Sequence, residues 1–154
     1  MRKGVSKVFW VPGTSLSLTT PTAAAVIAGT ELTGQVKEVA GFTFSNNPID
    51  VPDLSSAFVN KIGGEDATED SSLTFYEDDT SNPMYTALAK GTKGYVVWFP
   101  VGTAGATPAA GDDVDIWTSQ VTSRARMYTA DNEAATYEVK FALLAPPATD
   151  IALT

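Results

Sequence analysis

Hydrophobic and polar positions alternate most regularly between Val114 and Leu144. Tyr137, Val139, Phe141 and Leu143 alternate with Glu138, Lys140 and Ala142; before them Val121, Ser123, Ala125 and Met127 alternate with Thr122, Arg124, Arg126 and Tyr128. Side chains on a strand point to opposite faces at every second residue, so the spacing predicts one long β-hairpin with one apolar face. Asp131-Asn132 supplies the turn. A turn centred on Asn132 places Arg126 opposite Glu138 and Ala125 opposite Val139. Val114 and Ile116 fall on even positions and Val121, Ala125 and Met127 on odd ones, which predicts a β-bulge near Trp117 to Gln120. An arm this long leaves an unpaired edge that something must cover, and another copy of the same chain is the simplest cover.

The rest of the pattern is shorter in period. Lys7 to Val11 reads as a short apolar strand or an N-terminal arm, and Thr22 to Ala28 as a marginal helical turn. Gln35 to Phe44 reads as a strand with Val39, Phe42 and Phe44 as core candidates and Gly41 as a bulge. Leu73 to Tyr76 is a strong strand. Pro83 to Lys90 is a helix, with Asn82 as N-cap, Pro83 at the first helical position and Gly91 as the stop. Gly94 to Val101 is apolar on both faces, as in a buried central strand. Between them, Asn47 to about Ser71 holds Pro48, Pro52, Gly63 and Gly64 and reads as a long loop without a local reason to fold. These runs predict one all-β domain over residues 1–154, a sandwich or barrel with one short flanking helix. An N-terminal arm covers about 1–14, the long loop about 47–71 and a C-terminal tail about 145–154.

Composition narrows the chemistry. The 154 residues include no Cys and no His. Disulfide frameworks, thiolate sites, zinc sites and Ser-His-Asp triads are excluded, and the commonest general base is missing. A formal charge of −8 argues against binding nucleic acid through phosphate contacts, which needs clustered Lys and Arg. The apolar run Val8–Val11 stops at Pro12-Gly13, too short for a signal-peptide core or a membrane span. The expected chain is soluble, made in a cytoplasm and not membrane-bound.

Three constellations deserve weighing as chemistry. Glu65, Asp66, Glu69, Asp70, Glu77, Asp78 and Asp79 place seven acids in fifteen positions with no base among them. A calcium site is one alternative, since hard cations take several oxygens, although the spacing does not match an EF-hand loop; the cluster reads first as a solvated or field-shaping acidic face. The paired carboxylates of a glycoside hydrolase are the weaker alternative. Asp112, Asp113 and Asp115 read as a turn and an exposed strand start. Tyr95, Trp98 and Trp117 form either an aromatic platform for sugars or part of the core. Gly91, Gly94, Gly102 and Gly105 fit no phosphate-binding pattern. No catalytic, cofactor or metal residue is assigned.

Five segments in order carry a resemblance: TTPTAAAVIAGTELTGQV near the start, GFTFSNNPIDVPDLSSAF with its Pro-rich loop, SSLTFYEDD, NPMYTALAKGTKGYVVWFP and the final YEVKFALLAPP. Together they resemble the tail tube protein (major tail protein) of long-tailed, non-contractile bacteriophages, over most of the chain. Ala25 stands where many relatives carry an acid. The resemblance implies a β-sandwich-like fold and hexameric rings whose inner strands join in a continuous barrel. Stacked rings would make a hollow tube conducting DNA into the host. It implies a virion component, assembled in the host cytoplasm, without enzymatic activity or cofactor. Its partners would be other copies of itself, the tape measure, tail terminator and baseplate or tail-tip proteins, with DNA passing through the lumen unbound.

On that reading Glu77, Asp78, Asp79, Asp112, Asp113 and Asp115 are candidate lumen acids, repelling the DNA backbone. Six subunits would carry 6 × (−8) = −48 formal charges per ring. Ile49, Asp50, Val51, Asp53, Leu54, Phe58, Gly63 and Gly64 are candidate inter-ring contacts. The rival reading is a monomeric β-sandwich carbohydrate-binding module using Tyr95, Trp98 and Trp117.

Overall fold

The computed structural model describes residues 2–52, 57–78 and 80–154. In chain order these form β1 (Lys7–Pro12), α1 (Ala23–Ile27), β2 (Thr30–Glu31), a short 3-10 turn at Thr33–Gln35, β3 (Val36–Ala40), β4 (Phe44–Asn46) and β5 (Ile49–Val51). There follow β6 (Asn60–Ile62), β7 (Asp66–Thr68), β8 (Ser71–Tyr76), α2 (Pro83–Ala87), β9 (Lys93–Phe99), β10 (Asp113–Met127), β11 (Thr136–Leu143) and β12 (Ala148–Ala152). The all-β class holds, with two short helices. Thr22 caps α1 by accepting from the Ala25 N–H. The helix expected over Pro83 to Lys90 ends earlier, at Ala87, and Leu88 turns into the core.

One eight-stranded sheet runs β2-β1-β9-β10-β11-β8-β3, with β12 also on β10. It folds over on itself about β10. One core holds Trp10, Val96, Trp117 and Val121 against Leu73, Phe75, Tyr137, Val139 and Phe141, which come from the far half of the sheet. A second core lies on the other face of β1 and β9, where Phe9, Val97 and Phe99 meet Val26 of α1, Val114, Ile116 and Leu153. Strand β9 is therefore apolar on both faces because both are covered. Trp10 is fully buried at its centre, and truncating such a side chain costs about 3–5 kcal/mol. Its indole also explains Gly94: a Cβ there would lie 2.6 Å from the Val11 carbonyl oxygen and 2.7 Å from the Trp10 ring.

The fifteen residues of β10 serve both halves. One edge pairs with β9 from Asp115 to Gln120. The other edge pairs first with β12 and then, from Ser119 to Met127, with β11. The bulge expected near Trp117 to Gln120 is absent from the β9 and β11 ladders, which run unbroken there. The parity change arises because Ile116 fills one core and Trp117 the opposite one. On the β11 side the irregularity lies between Val121 and Ser123. It shifts the expected register by one: Arg126 faces Tyr137 and Ala125 faces Glu138. Glu138 nevertheless stays on the polar face, because Thr122 absorbs the extra residue and Tyr137, Val139 and Phe141 keep the core side.

The segment expected as a long loop is a two-stranded ribbon. β4 pairs with β7 and β5 with β6. Glu38↔Thr74 and Ala40↔Ser72 in the sheet are followed by Phe44↔Thr68 and Asn46↔Asp66 in the ribbon, so the same pairing phase crosses an interruption. The interruption is an elbow at Gly41 (φ 74°) and Phe42 (φ 56°). The Phe42 amide donates to Ser71 Oγ, and its ring packs edge-on against Trp98 and Trp117. Phe42 thus anchors the elbow, while Val39 and Phe44, expected in the core, are exposed on either side of it. Beyond the elbow the ribbon leaves the sheet that would have buried Phe44. Lys7–Pro12 is a strand inside the sheet, and Leu153 near the C-terminus is buried.

A Cβ on Gly41 would meet the Asp70 carbonyl oxygen at 2.3 Å, at a φ that L-residues disfavour. Gly41→Val is expected to lower the urea-unfolding free energy by about 2–4 kcal/mol, combining left-handed strain with overpacking. Gly91→Ala has open space around it and should lose only the backbone part, about 1–2 kcal/mol.

Candidate functional site

The far half of the sheet is a four-strand ladder, β10-β11-β8-β3, antiparallel throughout. Its registered rows sort cleanly. Arg126, Tyr137, Phe75 and Val36 form one core-side row, and Arg124, Val139, Leu73 and Val39 the next. Between them lie the opposite-face rows Ala125-Glu138-Thr74-Glu38 and Ser123-Lys140-Ser72-Ala40, which hold only small or polar side chains. Shallow concavities on this polar face are lined by residues of all four strands, including Glu38, Thr74, Glu138 and Thr122.

Both sides of the ladder are open. Among the described residues no strand pairs with the far edge of β3, and none continues the β9 ladder along Thr122–Met127 of β10. Such edges present unpaired N–H and C=O groups, a template for another chain. Charged side chains sit on both: Lys37 and Glu38 on β3, Arg124 and Arg126 on β10.

Short helix α2 is held against the core side of this ladder by aromatic and cationic contacts. The Arg124 guanidinium lies 3.7 Å and that of Arg126 4.6 Å from the Tyr85 ring centroid. Arg124 also donates to the Tyr85 carbonyl, and Arg126 Nε donates to Glu77 Oε1 at 2.7 Å. Glu77 holds the Arg126 pKa above its usual value. Tyr85 meets the Tyr137 ring edge-on at 5.2 Å. Burial, helped by the charge on Glu77, pushes the Tyr137 phenol up to about 12. Its hydroxyl has no hydrogen-bond partner among the described residues.

Among the sequence-predicted lumen acids, Glu77, Asp78, Asp112, Asp113 and Asp115 lie elsewhere than the polar ladder face. Glu77 is engaged with Arg126. The Asp78 carboxylate accepts from the Thr80 amide in a turn. Asp112 is buried, and its two oxygens accept from the Ala104 and Ala109 amides, tying down the 100–112 loop. Asp113 is exposed, and Asp115 accepts from the Asp150 amide. Asp79, Asp53 and Leu54 lie outside the described residues. No cluster of acids able to hold a metal ion occurs among the described residues.

The ribbon has two unlike faces. Ile49 lies directly across from Ile62, both more than half exposed, with Val51 nearby. Asp50 and Lys61, one position on, form an ion pair at 3.2 Å. Phe58 is exposed near the tip. Asn46 pins the Gly64 backbone from both sides, donating to its carbonyl and accepting from its amide. A Cβ on Gly64 would lie 2.0 Å from the Asn47 carbonyl oxygen, whereas Gly63 has room. The aromatic platform does not form: Tyr95 belongs to one core and Trp117, with Trp98 beside it, to the opposite one.

Solved structures share the overall β fold. A chain of the sixfold-symmetrised anti-feeding prophage baseplate is similar at TM-score 0.62 and 4% identity, covering 94% of this chain and 92% of that one. A chain of the native gene transfer agent virion gives TM-score 0.53 at 12% identity, covering 97% and 98%. A chain from the tail of the empty gene transfer agent particle, refined with C6 symmetry, gives 0.51 at 13% identity with the same coverage. At such identities the likeness carries the fold. No curated protein is matched by the sequence. The family follows from the sequence itself: the chain belongs to the phage tail tube protein family, whose model matches residues 1–154. It is a structural component of the tail tube of phage-like particles.

The buried phenol gives a pH signature. Between pH about 10, where an unfolded tyrosine ionises, and about 12, the unfolded chain releases a proton that folded Tyr137 keeps, so stability falls as pH rises through this window. Urea midpoints across that window should decline, and Tyr137→Phe should remove that part of the decline. Because the hydroxyl has no partner among the described residues, the same variant should be neutral or slightly stabilising near pH 7.

Proposed function

We propose that this chain forms six-membered rings by edge-to-edge β-pairing, and that the rings stack into the hollow tube through which DNA leaves the particle. The observation that carries this reading is the four-strand ladder left open on both sides. Its strands alternate in direction, so β3 and β10 run oppositely. Under rotation about a ring axis, β3 of one copy meets β10 of the next in antiparallel sense. The heterologous contact closes when the rotation closes. The number six comes from the sixfold and C6 particles whose chains share this fold.

Stacking falls to the ribbon. A two-stranded ribbon is marginal alone, and Ile49, Val51, Ile62 and Phe58 gain a dry environment against the next ring. The baseplate or tail-tip, terminator and tape measure proteins are its further partners at the tube's ends and interior. Assembly takes place in the host cytoplasm. The chain catalyses nothing: its work is geometric, with a closed barrel setting the bore. The carbohydrate-binding alternative loses its platform, because Tyr95 and Trp117 face opposite cores.

The test is assembly itself. Purified protein should form rings or tubes by negative-stain microscopy and light scattering. Ala40→Lys with Ala125→Lys adds an exposed ammonium to each open edge, the second lying opposite Glu138 within its own subunit, and like charges brought together across paired strands of neighbouring copies destabilise the pairing. The double variant should keep its thermal unfolding transition yet stay monomeric where the parent polymerises. Equal polymerisation of both would defeat the seam.

A further inference from the structure

The elbow between sheet and ribbon breaks the ladder without changing its count. Between the rows Ala40↔Ser72 and Phe44↔Thr68 lie Gly41, Phe42 and Thr43 on one strand and Glu69, Asp70 and Ser71 on the other, three residues each. No bulge residue is present, so the strands could pair straight through without slipping. In that straight ladder Phe42 would share the face of Ala40 and Phe44, away from the core. The positive φ values of Gly41 and Phe42 turn its side chain the other way, against Trp98 and Trp117. We propose that Phe42 is a releasable latch on a hinge: the elbow swings between this bent position and a straight one, in which the phenyl group is withdrawn and β3–β8 and β4–β7 run as one uninterrupted ribbon. The swing belongs to the single subunit and needs no second copy.

Opposing terms hold the two positions. The bent one shelters the Phe42 phenyl group, its centroid 5.4 Å from that of Trp98 and 5.8 Å from that of Trp117. It also lets the Phe42 amide donate to Ser71 Oγ at 2.9 Å. Against this, Phe42 is an L-residue held at φ 56°, a region that favours glycine. No ladder row joins Gly41–Thr43 to Glu69–Ser71. Trp98 Nε1 is buried without a partner among the described residues, and such a donor regains water once the phenyl group leaves. Phe42 also has a way out: it lines an open cleft with about 250 Å³ of free space, walled by Ser6, Pro100 and Asp115 as well as the two tryptophans. A second copy that grips the arm in its straight direction therefore draws Phe42 from the cleft, and a seated Phe42 resists that grip. The two events are one linked equilibrium.

Two nitroxide labels and the native tryptophans test this on the dissociated subunit. The chain has no Cys, so Ser45→Cys on the arm and Lys93→Cys on the body, both exposed, give one distance by pulsed electron paramagnetic resonance. The doubly labelled parent should sit mainly at one distance. Phe42→Ala removes the latch, and Ser71→Ala removes only the acceptor of its amide. Each should move population to a second discrete distance, the same in both variants and more populated in Phe42→Ala. Tryptophan emission should shift to the red in step, because Trp98 and Trp117 become wetter while Trp10 stays fully buried. Both variants should keep a cooperative thermal transition; if Phe42→Ala does not fold, Ser71→Ala decides alone. A distance unchanged from the parent overturns the latch. A broad, featureless spread of distances means that the ribbon comes apart, and overturns the swing in register.

Discussion

The structure depends on β10 being one continuous strand that belongs to two ladders. Its first part is sealed between β9 and β12 and contributes Val114 and Ile116 to one core and Trp117 to the other. Its last part leaves β9 behind and keeps only β11. Because β9 begins only at Lys93, opposite Gln120, while β10 runs on to Met127, the sheet has a long free edge that no element of the described chain covers. A sandwich alone would have no use for such an edge. In the proposed ring it is the part that would join copies, so the features that fold the subunit also leave an edge open for closure.

The same economy governs the ribbon. The β3–β8 pairing phase resumes beyond the elbow, so one long hairpin supplies both an open edge strand and an exposed arm, which the proposed ring and its stacking would use. Gly41 and Phe42 set the angle between them with two successive positive φ values. Phe42 is anchored in the core next to Trp98 and Trp117, which makes the arm's direction a property of the core. On the other end, the Tyr85–Arg124–Arg126–Glu77 contacts seat α2 over Tyr137 and close the core where β1 and β9 do not reach. Cation–π contacts of this kind contribute about 0.5–1 kcal/mol when exposed and more when desolvated.

Strict alternation made β11 and its core face legible and marked the second half of β10 as a strand, but past Val121 it named the wrong face, since Arg124 and Arg126, not Ser123 and Ala125, share rows with Val139 and Tyr137; continuous apolarity made β9 legible as central. Where both faces of one strand are buried, alternation ceases to report register. That is why Ile116 followed by Trp117 imitated a bulge, while the real irregularity at Thr122 left no mark in a run already polar on one side. The ribbon was hidden by its own composition, since Pro48, Gly63 and Gly64 signal turns and the ribbon's apolar residues have no core to point to. Long-range pairing of Phe44 with Thr68 cannot be read from either strand alone. Acid counting pointed to Glu77 and Asp112, which the fold uses internally. That Glu38 and Glu138 flank Thr74 in one row follows only from the register of three strands.

Hydrogen exchange compares the two open edges most directly in the dissociated subunit and the assembled tube. If β3 and β10 join neighbouring copies, alternate amides along Val36–Ala40 and Thr122–Met127 should exchange quickly in the subunit and slow markedly in the tube, while those of β9 stay protected in both. Equal exchange at both edges in subunit and tube would contradict closure through these strands.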